Sequence, residues 1–246
     1  MAFEIVDPNT PLMPTHKLTS HSYQGQDLFV VEALGGLRGG FFLDSGASDG
    51  VSGSNTLLLE SRFGWRGICV EPNDQLFARL LHERRCMCLN CCLYDREDEV
   101  AFFEAAGVFG GILNEYDPGH LRYARSVVAS RLDEGKGDSA VTKSARTIGS
   151  ILREFGAPRI IDYWSLDTEG SELSILKSFP FGEFTVRVLT VEHNFTPVRE
   201  TIRRFLEERG YHCARVLGID DAYVLDASMQ QRAWRSRVWS RLPAVA

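Results

Sequence analysis

The run Phe41-Phe42-Leu43-Asp44-Ser45-Gly46-Ala47-Ser48-Asp49-Gly50 constrains the fold more than any other stretch: an apolar strand stops in a glycine-punctuated turn, and helix-forming text follows. A strand feeding such a turn leaves backbone N–H groups free, and the glycines let a nucleotide-like ligand approach the main chain. The dinucleotide pattern G-x-G-x-x-G is not met, because Asp44 stands where its first glycine would fall. A carboxylate at a strand tip repels a pyrophosphate and attracts a ligand carrying an amino group and a sulfonium. S-Adenosylmethionine has both and no phosphate, so it is the cofactor this turn predicts. A nucleotide-dependent oxidoreductase or epimerase, and a non-catalytic cofactor-binding protein, are the alternative readings of the same strand and turn.

The text on either side alternates between two periods. Strands are predicted at 41–44, 67–71, 86–92, 160–167, 186–192, 213–217 and 222–225, and helices at 27–37, 55–63, 74–83, 148–155, 172–178 and 198–209. In the last helix Thr196 is the predicted cap, Pro197 suits the first turn, Val198, Ile202, Phe205 and Leu206 share one face, and Gly210 closes it. Strands apolar on both faces, such as Val186-Arg187-Val188-Leu189-Thr190-Val191, are buried parallel strands. The fold class is therefore α/β, a doubly wound, mostly parallel, seven-stranded sheet with an antiparallel hairpin at one edge around Gly218-Ile219-Asp220-Asp221. Residues 1–39 read as an extension with a helix packed on the core, 40–227 as the main domain, and 228–246 as a tail, with Trp234 and Trp239, that docks as a helix. The stretch 107–141 breaks the rhythm and reads as a lid or pocket wall facing the substrate.

Composition narrows the class of partner. A chain of 246 residues with 44% hydrophobic residues holds one large domain, and a net charge of −6 gives no general reason to expect nucleic acid. Residues 107–146 carry six Lys or Arg against five Asp or Glu, so they favour no anionic substrate. No run approaches the roughly 20 apolar residues of a membrane span, which predicts a cytoplasmic protein with no membrane partner. The oligomeric state is not fixed by these features, and a homodimer is compatible with them. Cys69, Cys86, Cys88, Cys91, Cys92 and Cys213 lie mostly in strand-like text, where alternation suits reduced, structural thiols better than a four-ligand zinc site.

In an open α/β sheet, ligands lie beyond the carboxyl ends of the strands at the switch point in strand order. Those ends are polar here. The first offers Asp44, Gly46, Asp49 and Gly50; the second offers Glu71-Pro72-Asn73, 27 residues beyond Asp44, near the spacing of a ribose-binding acid. Asn90-Cys91-Cys92 would border an adenine, and Asp167-Thr168-Glu169-Gly170 and Glu192-His193-Asn194 close the fourth and fifth strands. His193, of a residue type whose ordinary pKa is about 6.5, is the predicted general base toward an acceptor hydroxyl, with Asp167 beside it. Asp167, Glu192 and Asn194 form an oxygen set suited to Mg²⁺, a second route to lowering that hydroxyl's pKa.

These motifs have a recognisable order. Gln24-Gly25-Gln26-Asp27-Leu28, Gly40 to Gly50, Gly64-Trp65-Arg66-Gly67-Ile68-Cys69-Val70-Glu71-Pro72, Thr147-Ile148-Gly149-Ser150-Ile151-Leu152, Asp167-Thr168-Glu169-Gly170-Ser171-Glu172 and Val191-Glu192-His193-Asn194 resemble the FkbM-type methyltransferases. That family is a branch of the class I S-adenosylmethionine-dependent enzymes. The chain departs from it at Ser45, where isoleucine is common, which predicts a softer strand end. The resemblance implies a Rossmann-like methyltransferase domain and methyl transfer to a hydroxyl of a sugar or another secondary metabolite. Strand ends and resemblance together give a predicted cofactor set of Gln26, Asp44, Gly46, Asp49, Gly50, Asn55, Glu71, Pro72, Asn90, Cys91 and Asp167.

Overall fold

The computed structural model describes residues 18–131 and 140–226. Its main sheet has seven strands: β1 (Phe41–Ser45), β2 (Arg66–Val70), β3 (Met87–Leu89), β7 (Ile160–Leu166), β8 (Thr185–Glu192), β9 (Tyr211–Leu217) and β10 (Asp220–Leu225). They lie in the order β3-β2-β1-β7-β8-β10-β9. All neighbours are parallel as far as β8, and β10 then runs antiparallel to both β8 and β9. The doubly wound sheet with a terminal hairpin is as the alternation predicted. Strand order reverses between β1 and β7, so the loops after these two strands diverge and open a crevice.

Alternation along β1 explains the two layers. Leu43 points into a core with Trp164, Ile151, Ile175 and Leu206, under α5 (Ile148–Glu154), α6 (Glu172–Ser178) and α7 (Val198–Glu207). Phe42 points the other way, into a core with Tyr163, Val30, Leu59 and Leu80, under α1 (Gln26–Ala33), α2 (Leu57–Phe63) and α3 (Asp74–Glu83). Burying each such side chain contributes roughly 1.5–3 kcal/mol. Ser45, the departure from the family pattern, costs little at this strand end: its buried hydroxyl accepts the Trp164 Nε1–H at 2.9 Å.

Several local expectations need correction. The strand expected at 86–92 is two strands, because Asn90 turns aside and donates to the carbonyls of Glu71 and Pro72. Beyond that break β4 (Cys92–Leu93), β5 (Asp98–Phe102) and β6 (Val141–Arg146) form a separate three-stranded sheet in the order β4-β6-β5. The first helix ends at Ala33, four residues early, where Gly35 and Gly36 take positive φ. Thr196 does not cap α7; its hydroxyl donates to the His193 carbonyl at 2.8 Å. Residues 107–131 of the expected lid fold as the end of a 3₁₀ segment (Glu104–Phe109) and a helix, α4 (Pro118–Arg131). The tail from 228, with Trp234 and Trp239, and residues 1–17 lie outside the described residues. Among the described residues no helix is long and apolar enough to cross a membrane, and all six cysteines are free thiols.

Candidate functional site

A cavity of about 560 Å³ opens at the switch point, lined among others by Asp44, Gly46, Asp49, Asn55, Glu71, Pro72, Cys91 and Asp167. The β1 turn that forms its floor has almost no tolerance. Gly46 sits at φ 84, and a Cβ there would lie 1.7 Å from the Asp167 carbonyl oxygen. The N–H groups of Gly46 and Ala47 both donate to Val70 O, and Asp167 N donates to Ser45 O, so strands β2, β1 and β7 hold the turn between them.

Glu71 ties the second strand end to this turn. Its carboxylate accepts the Ser48 and Asn73 N–H groups, each at 2.8 Å, while burial pushes its pKa up to about 7. Each oxygen accepts only one of these N–H groups and so keeps further acceptor capacity. Asp49 accepts the Val51 and Ser52 N–H groups, which lower its pKa against the opposing effect of burial. Asn55 donates to Ser165 Oγ at 2.9 Å, and its buried Oδ1 has no partner among the described residues.

Asp44 is less free than its position in the sequence suggests. It accepts the Thr56 hydroxyl at 2.5 Å, and burial raises its pKa while the charge of Arg84 opposes the rise. Arg84 is the site residue the sequence reading missed. Its buried guanidinium donates to Gly50 O, Ser54 Oγ, Thr56 Oγ1 and Glu60, clamping the loop from Gly50 to Thr56. No local pattern marks it, since it lies just past the end of α3 and meets the loop only in space.

Three members of the predicted cofactor set do not line the cavity. Gln26 is buried and donates to Asp220, Asn90 faces the Glu71 and Pro72 carbonyls, and Gly50 supplies a carbonyl to Arg84. Cys92 lies beside Cys91 in the wall, with Phe102, Val108 and Phe109 contributed by the second sheet and the 3₁₀ segment. The cavity wall thus combines β4 and β5 with the first residues of the insert region.

The ends of β7 and β8 bring three carboxylates together: ligand oxygens of Asp167, Glu169 and Glu192 lie within 4.8 Å of one another. Burial pushes Asp167 and Glu192 well above the usual carboxylate range, neighbouring negative charges raise both further, and the two side chains hydrogen-bond to each other. Glu169 has a left-handed backbone, φ 61, and its Oε2 pairs with His120 Nε2 and takes the Asn194 Nδ2–H at 3.4 Å. Asp167 and Glu192 of the expected Mg²⁺ set meet in this cluster, whereas Asn194 presents a donor to Glu169, which takes its place there. Three carboxylates at this separation could hold a cation, and in the cation-free arrangement Glu169 pairs with His120.

His193 is not exposed as a base. Its Nδ1 accepts the Phe195 N–H at 3.0 Å, so the neutral ring carries its proton on Nε2, which is buried without a partner, 3.7 Å from Asp221 Oδ1. Burial and the charge of Arg199 lower its pKa, and Arg199 already holds Asp221 through two hydrogen bonds of 2.8 and 2.6 Å. The ring's accepting nitrogen is consumed by its own loop, so the sequence-based assignment of His193 as base is not supported by this geometry.

Fold and crevice define a doubly wound α/β protein whose nucleotide-type site is acidic where dinucleotide sites receive a phosphate. The Methyltransferase FkbM domain matches residues 44–213, and the chain belongs to that family of methyltransferases. Among solved structures, a candidate RNA methyltransferase from Pyrococcus horikoshii is similar at 14% identity and TM-score 0.40, with 82% of this chain and 83% of that chain covered. No curated protein matches the chain.

Proposed function

We propose that this methyltransferase uses S-adenosylmethionine and transfers its methyl group to a hydroxyl of a small molecule, a sugar or a comparable ring of a secondary metabolite. The observation that carries the cofactor reading is the crevice at the β1/β7 switch point, where Asp44, Glu71 and Asp167 face a glycine turn and no cation-rich phosphate cradle accompanies them. Bound there, the cofactor would supply a methyl group as an electrophile on a sulfonium. Glu71 would hold the ribose hydroxyls, Asn55 Oδ1 would accept a donor, and Cys91, Cys92 and Leu93 would border the base. Displacement at a methyl carbon needs two aligned reactants in a dry site, so positioning supplies most of the acceleration. The walls from the insert region supply that exclusion of water. The acceptor hydroxyl must also lose a proton to a group of the chain.

Calorimetry separates this reading from a nucleotide-dependent oxidoreductase. S-Adenosylhomocysteine is expected to bind and NAD to give no heat; binding of NAD alone would reverse the assignment. Transfer of labelled methyl groups to a panel of sugars and phenols is the expected activity, and a protein that binds S-adenosylhomocysteine but methylates no hydroxyl would overturn the acceptor class.

A further inference from the structure

We propose that His120, on the insert helix, is the general base of this site, held by Glu169 and serving a second cavity in which the acceptor ring binds. The proposal rests on the reading of the chain as a hydroxyl methyltransferase. A cavity of about 270 Å³ lies against the cofactor crevice and shares Glu169 and Glu192 with it. Pockets for drug-sized ligands start near about 300 Å³, so this one suits a single ring, not an extended molecule. Its walls include His120 and Tyr116 from the insert and Thr196 to Val198 from the start of α7.

Three contacts hold His120. Asp117 accepts the N–H groups of Gly119 and His120 at 2.7 and 3.3 Å, which places the residue in the first turn of α4. Tyr116 stacks on the imidazole with ring centroids 5.7 Å apart and planes at 19°. Glu169 pairs with Nε2, and a carboxylate there selects the tautomer with the proton on Nε2 and the lone pair on Nδ1. Nδ1 is then the atom that takes the acceptor's hydroxyl proton as the oxygen–methyl bond forms and the sulfur–methyl bond breaks. The cation that results is stabilised by Glu169, and the same pairing raises the ordinary pKa of His120. His193, across the cavity, has its accepting nitrogen occupied by the Phe195 N–H and lacks this freedom. Three of the four non-glycine residues with positive φ among the described residues, Glu169, Asn194 and Phe195, lie in the two loops that meet here. Strain of that kind is characteristic of sites whose geometry is held for function.

Two measurements on the full chain test this. The first is ¹⁵N NMR of the histidines with S-adenosylhomocysteine present, with His120 assigned by its loss in His120→Gln. The neutral ring is expected to carry its proton on Nε2, and Glu169→Gln is expected to change its tautomer balance; the opposite tautomer, or indifference to Glu169→Gln, overturns the dyad. The second is methyl transfer to the panel of hydroxyl compounds. His120→Gln is expected to lower kcat by about 10²–10⁴-fold with unchanged affinity for S-adenosylhomocysteine, while His193→Gln lowers it less than tenfold. Turnover of His120→Gln within threefold of the wild type overturns the base assignment alone. A wild type that binds S-adenosylhomocysteine yet transfers nothing overturns the proposed function, and the base assignment with it.

Discussion

Glu71 shows how one buried side chain couples the cofactor site to pH. Burial places its pKa at about 7, above the ordinary 4.5, although two backbone N–H groups favour its charged form. A neutral carboxyl accepts hydrogen bonds from a ribose diol less well than a carboxylate. Affinity for S-adenosylhomocysteine is therefore expected to rise as pH increases through about 7 and to level off above it. Calorimetry from pH 5.5 to 8.5 measures this, and Glu71→Gln should bind weakly with a flatter profile; an unchanged slope in that variant would show that Glu71 is not the titrating group. Glu71 was legible in the sequence because a strand-end acid has a characteristic spacing from the glycine turn. Arg84 was not, since its partners Gly50, Ser54, Thr56 and Glu60 are 24 to 34 residues away and converge only in the fold.

At the scale of elements, the buried strands and amphipathic helices were legible and the small second sheet was not. A strand buried on both faces is an apolar run, as in β8, whereas β5 reads Asp98-Glu99-Val100-Ala101-Phe102 and only Val100 and Phe102 are buried. β4 has two residues, too few for any period to register. The helix α4 carried a usable signal, Asp117 ahead of Pro118, but no clean apolar stripe followed it. The insert is anchored to the main domain at its base: Glu115 accepts the Tyr94 hydroxyl and the Ser174 hydroxyl, each at 2.6 Å. Gly170 lies against Glu115, where a Cβ would come within 2.6 Å of its carbonyl oxygen. Glu115→Ala removes two side-chain hydrogen bonds, worth together about 1–3 kcal/mol. Amide hydrogen exchange in α4 is expected to accelerate at least severalfold while β1 and β7 remain protected; unaltered exchange in α4 would show that the anchor lies elsewhere.

The whole molecule gathers its buried acids at the carboxyl end of the sheet, and this sets the pH dependence of its stability. Glu71 titrates at about 7 and Asp220 at about 6, and burial also raises Asp44, Asp167 and Glu192. The folded protein thus binds more protons than the unfolded chain between about pH 4 and 7, so stability falls as pH rises across that window. His120, raised by Glu169, acts in the same direction, and His193, lowered by burial, acts against it. Each pH unit between folded and unfolded values is worth about 1.4 kcal/mol. Thermal unfolding without cofactor is expected to show a higher Tm at pH 5.5 than at pH 8, with a smaller difference in Glu71→Gln; a Tm that climbs toward pH 8 would contradict the assignment. The sequence alone determined the doubly wound sheet, the switch-point crevice and the acids at its strand ends, because strand burial, turn chemistry and spacing are local properties of the chain. Which of those groups face the cavity was decided only by tertiary packing. Which groups meet, as His120 and Glu169 do across 49 residues, depends on partners brought from distant parts of the chain, and no local pattern records them.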